Sequence, residues 1–180
     1  MFHSERDFSL LTNRVTATQA AEQSVAQRQR DVFESHRHRA FSLAFYMTGN
    51  ELEAEEILTQ TFVRVFQRSE HPNAGDVDAS LIGEFRERFC LEPELPPASA
   101  AGEHAVGRNV RRTELEAALL ELPANERLLF LLRDVEGYPP EGIAALLGIP
   151  QPEVQRMLLS ARLRLCQKLA LLTKPASEAA

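Results

Sequence analysis

The 180-residue chain predicts an all-α fold of two small helical domains joined by a Pro/Ala-rich linker, the second domain closing in a helix-turn-helix. Apolar residues recur at the helical period in almost every patterned segment. No run alternates with the period of two that a half-buried strand requires. Between the patterned blocks, residues 92–107 (EPELPPASAAGEHAVG) are rich in Pro, Ala and Gly and lack an apolar period, which is the composition of a linker.

Each segment follows from its own residues. Residues 1–30 form an N-terminal extension in which Val15, Ala20, Ala21, Val25 and Ala26 can share one side of a helix, yet the segment is polar enough to suit a frayed extension as well. Residues 31–91 form the first domain. Its helix Phe33–Met47 ends at the turn Thr48-Gly49-Asn50. Ala54, Ile57, Leu58, Thr61, Phe62, Val65 and Phe66 then repeat at helical spacing and make a wide apolar stripe. Burying each large member contributes roughly 1.5–3 kcal/mol before entropy, so this helix needs a partner, and the preceding helix is the nearest one.

Residues 108–174 form the second domain. Leu115, Ala118, Leu119 and Leu122 make a helical stripe that stops at Pro123, and a helix over Asn125–Val135 stops at Glu136-Gly137. Pro139 and Pro140 open a short helix, Glu141–Leu147, which Gly148 ends. Pro150 and Pro152 bracket the start of a last helix whose Val154, Met157, Leu158, Ala161, Leu165 and Leu169 share one face.

Charge and composition exclude several function classes. With 20 Lys and Arg against 26 Asp and Glu the net charge is −6, which rules out a uniformly basic nucleic-acid coat. The excess belongs to residues 1–100, which hold 10 basic and 16 acidic residues, whereas residues 101–180 hold 10 of each. In the last helix Arg156, Arg162, Arg164, Lys168 and Lys174 face only Glu153, a local +4. Cys90 and Cys166 are isolated thiols in a chain able to build its own core, as expected in a reducing compartment. No apolar stretch is long enough for membrane insertion and the N-terminus lacks a signal-peptide pattern, so the expected location is cytoplasmic.

The short helix, tight turn and longer helix of residues 141–164 have the shape of a helix-turn-helix, although a generic αα-hairpin has the same outline. The residues themselves carry more. Leu122-Pro123, the run Leu131-Leu132-Arg133-Asp134-Val135-Glu136-Gly137, Ile143-Ala144, Leu147-Gly148-Ile149, Val154, Leu158 and Ala161-Arg162 resemble region 4 of bacterial sigma factors of the extracytoplasmic-function type. Gly49-Asn50, Glu53-Ala54-Glu55-Glu56 and Thr61-Phe62-Val63-Arg64 resemble the region 2 helix with which such proteins grip the polymerase clamp.

This resemblance implies a non-enzymatic protein that binds core RNA polymerase and directs it to promoter DNA. It implies that Gln155, Arg156, Ser160, Arg162 and Arg164 face DNA, and that Glu53, Glu56, Gln60 and Arg64 lie on the polymerase-binding face. It also implies a regulatory partner such as an anti-sigma protein. Phe85, Arg86, Arg88 and Phe89 are the candidates for promoter melting, since flipped bases need stacking rings and the strand needs cations, although the helical spacing of Phe85 and Phe89 suits two core positions as well.

The chain departs from the family pattern in three places. It has no Trp, and Glu84, Glu87, Glu92 and Glu94 offset the arginines of the melting segment. Met157 stands where an Arg is expected, and an apolar side chain cannot replace the two hydrogen bonds of an Arg on a guanine edge. Leu159, Leu163, Cys166 and Ala170 form a second apolar row, which is either packed within the domain or a protein-contact face. These departures define an alternative, a sigma-like interaction protein that has lost melting or DNA reading and acts through polymerase or a regulator.

No cofactor is expected. His36 and His38 lie two residues apart, on different sides of a helix, and neither Cys has a partner at metal-ligand spacing. The carboxylates Glu51, Glu53, Glu55 and Glu56 suit a solvated helix start.

Overall fold

A single helix, α1 (Ser4–Thr48), opens the computed structural model, which describes residues 4–92 and 110–172, with side chains for 23–92 and 110–171. It runs unbroken through residues 30 and 31, so residues 4–30 take the helical of the two forms their sequence allows and continue into the helix of the first domain. Gly49, at φ +69°, ends α1 in the left-handed conformation that glycine adopts without strain, and its N–H caps the Phe45 carbonyl at 2.7 Å. Asn50 then starts α2 (Glu51–Arg68) by accepting the Leu52 and Glu53 N–H groups on its side-chain oxygen.

The stripe read from the sequence is the buried face of α2. Ala54, Ile57, Thr61, Phe62 and Val65 are buried, and Leu58 and Phe66 are half-buried. They pack on Ala40, Leu43, Ala44 and Met47 of α1. Phe33 meets Phe62 edge-on, with ring centroids 4.9 Å apart. A third helix, α3 (Ala74–Arg88), begins at a capping box in which Asn73 and Asp76 satisfy each other's backbone N–H groups.

The second half consists of α4 (Arg112–Leu120), α5 (Ala124–Phe130) with a wide π-helical turn over Leu131–Val135, α6 (Pro140–Leu147) and α7 (Gln151–Leu172). The regular helix expected over Asn125–Val135 therefore changes pitch halfway. The Glu136 N–H reaches back to the Leu131 carbonyl at 3.0 Å, leaving one extra residue in the turn. All six residues of the predicted α7 core row are buried: Val154, Met157, Leu158, Ala161, Leu165 and Leu169. Most of the expected linker, residues 93–107, lies outside the described residues. Among the described residues every regular element is helical, and no helix is long and apolar enough to cross a membrane.

The two halves are docked. Arg127 of α5 is buried, and its guanidinium donates to the Met47 carbonyl at the end of α1 (2.5 Å) and to Leu120 (2.6 Å) and Leu122 (3.0 Å) at the end of α4. Burial draws its pKa down, and the carbonyl ends of two helices supply the compensating negative potential. A second tether joins α1, α3 and the turn before α6. Arg39 donates to both Asp78 and the Tyr138 hydroxyl, the Tyr138 hydroxyl donates to Asp78 at 2.6 Å, and Arg39 stacks over the Tyr138 ring. Burial, followed by the bond to Asp78, pushes the Tyr138 phenol pKa up. Leu120 also packs directly on Gly49, where any Cβ would stand 2.6 Å from a Leu120 methyl.

Replacing Arg127 with Met leaves three buried carbonyls without a donor and is expected to lower the unfolding free energy by about 2–4 kcal/mol. Urea denaturation measures this. An R127M midpoint equal to that of the parent protein would show that the carbonyl contacts contribute nothing.

Candidate nucleic-acid and polymerase interfaces

The helix-turn-helix is built from α6 and α7. Pro140 at the start of α6 gives up no needed hydrogen bond, and Gly148 (φ +68°) ends the helix in the left-handed region. The Ile149 N–H returns to the Ala144 carbonyl at 3.1 Å, and the Pro150 carbonyl accepts the Glu153 and Val154 N–H groups, which starts α7. The inner row of α7 packs on α5, leaving the opposite face outward.

Of the residues expected to face DNA, Gln155, Arg156 and Arg162 are exposed on that outer face, while Ser160 and Arg164 are half-buried at its edge. The Ser160 hydroxyl donates to Glu126 of α5 at 2.8 Å, and the Arg164 Nε lies 3.2 Å from the other oxygen of the same buried carboxylate. Arg156 pairs with Glu153 one turn earlier, and Lys168 with Glu121. Arg162 grips Asp134 with both prongs, Nη2 at 2.6 Å and Nε at 3.0 Å. The hydrogen bonds to Asp134 raise the Arg162 pKa, against a smaller loss from burial. Of the cations behind the local +4, the four described ones are thus each paired with a carboxylate, Glu153 of α7 or one from the end of α4, α5 or the π-helical turn, and Lys174 lies outside the described residues. Met157 is a core residue, lining a small cavity with Arg86, Leu91, Leu147 and Ile149. In the second apolar row, Leu159 and Leu163 are 60% and 45% exposed and Cys166 is half-buried, so the outer part of that row lies open.

On α2, Glu53, Glu56 and Gln60 stand on one exposed face beside Leu52 and Val63. Arg64, expected with them, turns inward instead. It binds Glu87 with both Nη atoms at 2.7 Å and reaches the buried Glu84 through Nε, also at 2.7 Å. Glu84 draws in a second arginine, Arg88, at 2.5 Å, so two guanidiniums compensate one buried carboxylate between α2 and α3.

The melting candidates divide. Phe85 is fully buried and belongs to the core of α3, so its ring offers no face to a base. Phe89 is half-buried, tilted against Phe85 with centroids 6.2 Å apart. Arg88 is held by Glu84 and lies near Glu56, and Arg86 donates to the Leu147 carbonyl at the helix-turn-helix turn, 2.8 Å away. Sequence reasoning missed Arg127, Arg39, Asp78 and Tyr138. Their partners lie up to 99 residues away, and no local pattern marks them.

The described residues are all helical and include a helix-turn-helix with polar and basic side chains on the outer face of its second helix, the architecture with which helix-turn-helix proteins read DNA. Residues 112–165 match the family Sigma-70, region 4. The chain is 28% identical over 156 residues to the ECF RNA polymerase sigma factor SigE of Mycolicibacterium smegmatis, covering 78% of this chain and 61% of the relative's length. Its fold is similar to that of the sigma factor RpoE in the co-crystal structure with the anti-sigma factor NepR from Bartonella quintana. There the TM-score is 0.59 at 19% identity, over 81% of this chain and 98% of that one. Residues 112–165 thus carry the sigma-70 region 4 pattern, and the chain spans about three-fifths of the length of the sigma factor relative it matches.

The burial of Phe85 sets an expected outcome. Phe85→Ala is expected to cost about 3–5 kcal/mol of stability in chemical denaturation, as for a large ring removed from a core. A loss below about 1 kcal/mol, typical of a surface site, would return Phe85 to the exposed candidates.

Proposed function

We propose that this protein is a transcription initiation factor that binds core RNA polymerase and directs it to promoter DNA. The observation that carries the reading is the region 4 match over 112–165, falling on a helix pair whose turn, caps and outward face are those of a helix-turn-helix. In this reading α7 meets the upstream promoter element through Gln155, Arg156 and Arg162, with Ser160 and Arg164 at the edge of the contact. Glu53, Glu56 and Gln60 form the polymerase-contacting face of α2, and Arg64 supports that face through its bonds to Glu84 and Glu87.

The domain limits of the proposal are a region 2-like unit over 31–91 and a region 4-like unit over 108–174. The protein acts in the cytoplasm and performs no catalysis of its own. Arg86, Arg88 and Phe89 remain the contributors to strand separation, and Phe85 supports them from the core. A protein regulator of the anti-sigma kind is included among the partners, with Leu159 and Leu163 offering it an apolar contact.

Size-exclusion chromatography of the full chain with core RNA polymerase at low salt tests the reading. Co-elution is expected, and the combined substitution of Glu53, Glu56 and Gln60 by Ala is expected to weaken it at least about tenfold, the equivalent of 1.4 kcal/mol. Absence of a complex between the two folded proteins would refute it.

A further inference from the structure

We propose that Asp134 is an affinity-setting residue for DNA: its carboxylate occupies the Arg162 guanidinium as an intramolecular stand-in for a backbone phosphate, so that DNA must displace it. The inference rests on the reading of α7 as the DNA-facing helix and adds a residue outside that helix.

Three observations carry it. The first is geometric. Arg162 is exposed on the outer face of α7, and both nitrogens that it directs at Asp134 lie within 3.0 Å of the carboxylate, the fork–fork arrangement an Arg also makes with phosphate. The second is the origin of the partner. Asp134 sits in the wide turn Leu131–Val135, where the extra residue between the Leu131 carbonyl and the Glu136 N–H changes the pitch of the chain beside α7. The third is the contrast with the other carboxylates around α7. Glu126 is buried and holds Ser160 and Arg164 at the α5–α7 packing surface, so it serves the fold. Glu153 lies on α7 itself, and the Glu121–Lys168 pair sits beyond the expected DNA-facing residues. Asp134, by contrast, is borne by another segment, is accessible from solvent and engages a cation of the DNA-facing set.

The energetic consequence follows from charge alone. A phosphate approaching the pair meets no net charge, and Asp134 repels it until the guanidinium exchanges partners. Affinity for DNA is therefore held below what the cations of α7 would give, and one fewer counterion is released on binding.

The full-length protein is titrated onto a fluorescein-labelled duplex of mixed sequence, read by anisotropy over a range of salt. Asp134→Asn keeps the shape and removes the charge. It is expected to bind about fivefold to tenfold more tightly at low salt, the effect of one charge at contact distance in water. Its slope of log K against log salt is expected to be steeper by about 0.9, one further phosphate neutralised. In an R162Q background the same change is expected to give a smaller gain, from lost carboxylate repulsion alone, with no phosphate contact added by a freed guanidinium. Equal or weaker binding by D134N, or a gain as large with R162Q as without it, would overturn the proposal.

A measurement on the parent protein does not depend on the variant folding. The Nε–H NMR resonance of Arg162 is expected to move on saturation with the same duplex, and an unmoved resonance would overturn the exchange of partners. Co-elution of the parent protein with core polymerase is scored in parallel. If the complex forms and D134N gives no gain, only the role of Asp134 fails, whereas a missing complex rejects the transcription-factor reading itself.

Discussion

Arg127 carries its charge from α5 into the place where α1 and α4 both end, and the arrangement of the two halves depends on it. Each helix terminus presents carbonyls with no partner inside its own helix, and burying two such ends together without a donor would cost several hydrogen bonds. One guanidinium satisfies the carbonyls of Met47, Leu120 and Leu122. Around this point the remaining contacts have a fixed geometry. Leu120 can press on Gly49 because glycine has no Cβ, and Tyr138 can reach Asp78 and Arg39 from the turn that follows α5. The helix-turn-helix is thereby held against the first three helices by polar anchors at two places, and Arg86 adds a third at the turn itself.

The same physics shapes the surface that the protein offers to its partners. The acidic total of −6 is compatible with DNA binding because the cations are gathered on α7, but each described cation there has a carboxylate beside it. The helix is therefore close to neutral as seen from a distance, and recognition must come from contact geometry rather than from long-range attraction. On α2 the outcome is different. The exposed carboxylates Glu53 and Glu56 stand beside Leu52, while Arg64 of α2 and Arg88 of α3 are drawn inward to compensate Glu84.

Much of this was legible in the chain. The α2 stripe and the α7 core row depend only on helical spacing, and Gly49, Asn50, Pro140 and Gly148 punctuate the helices by local backbone chemistry, so the apolar pattern and the turns could be placed from the sequence. Two kinds of feature could not. The pitch change at Leu131–Val135 leaves no mark in an ordinary helical run. The pairings of Arg127, Arg64 and Arg162 depend on which elements come together, since an arginine on a helix reads the same whether it faces water, DNA or a buried carboxylate. Phe85 shows the limit in the other direction. Its spacing with Phe89 suited both a stacking surface and a core position, and only the packing of α3 decides for the core.

Reconstituted transcription with core RNA polymerase on a library of promoter sequences tests the central claim most directly, because docking, promoter selection and strand opening must all succeed for a transcript to appear. The account predicts transcripts that depend on this protein and start from a restricted set of sequences. A polymerase that forms no complex with the folded protein, and makes the same transcripts with and without it, would contradict the account.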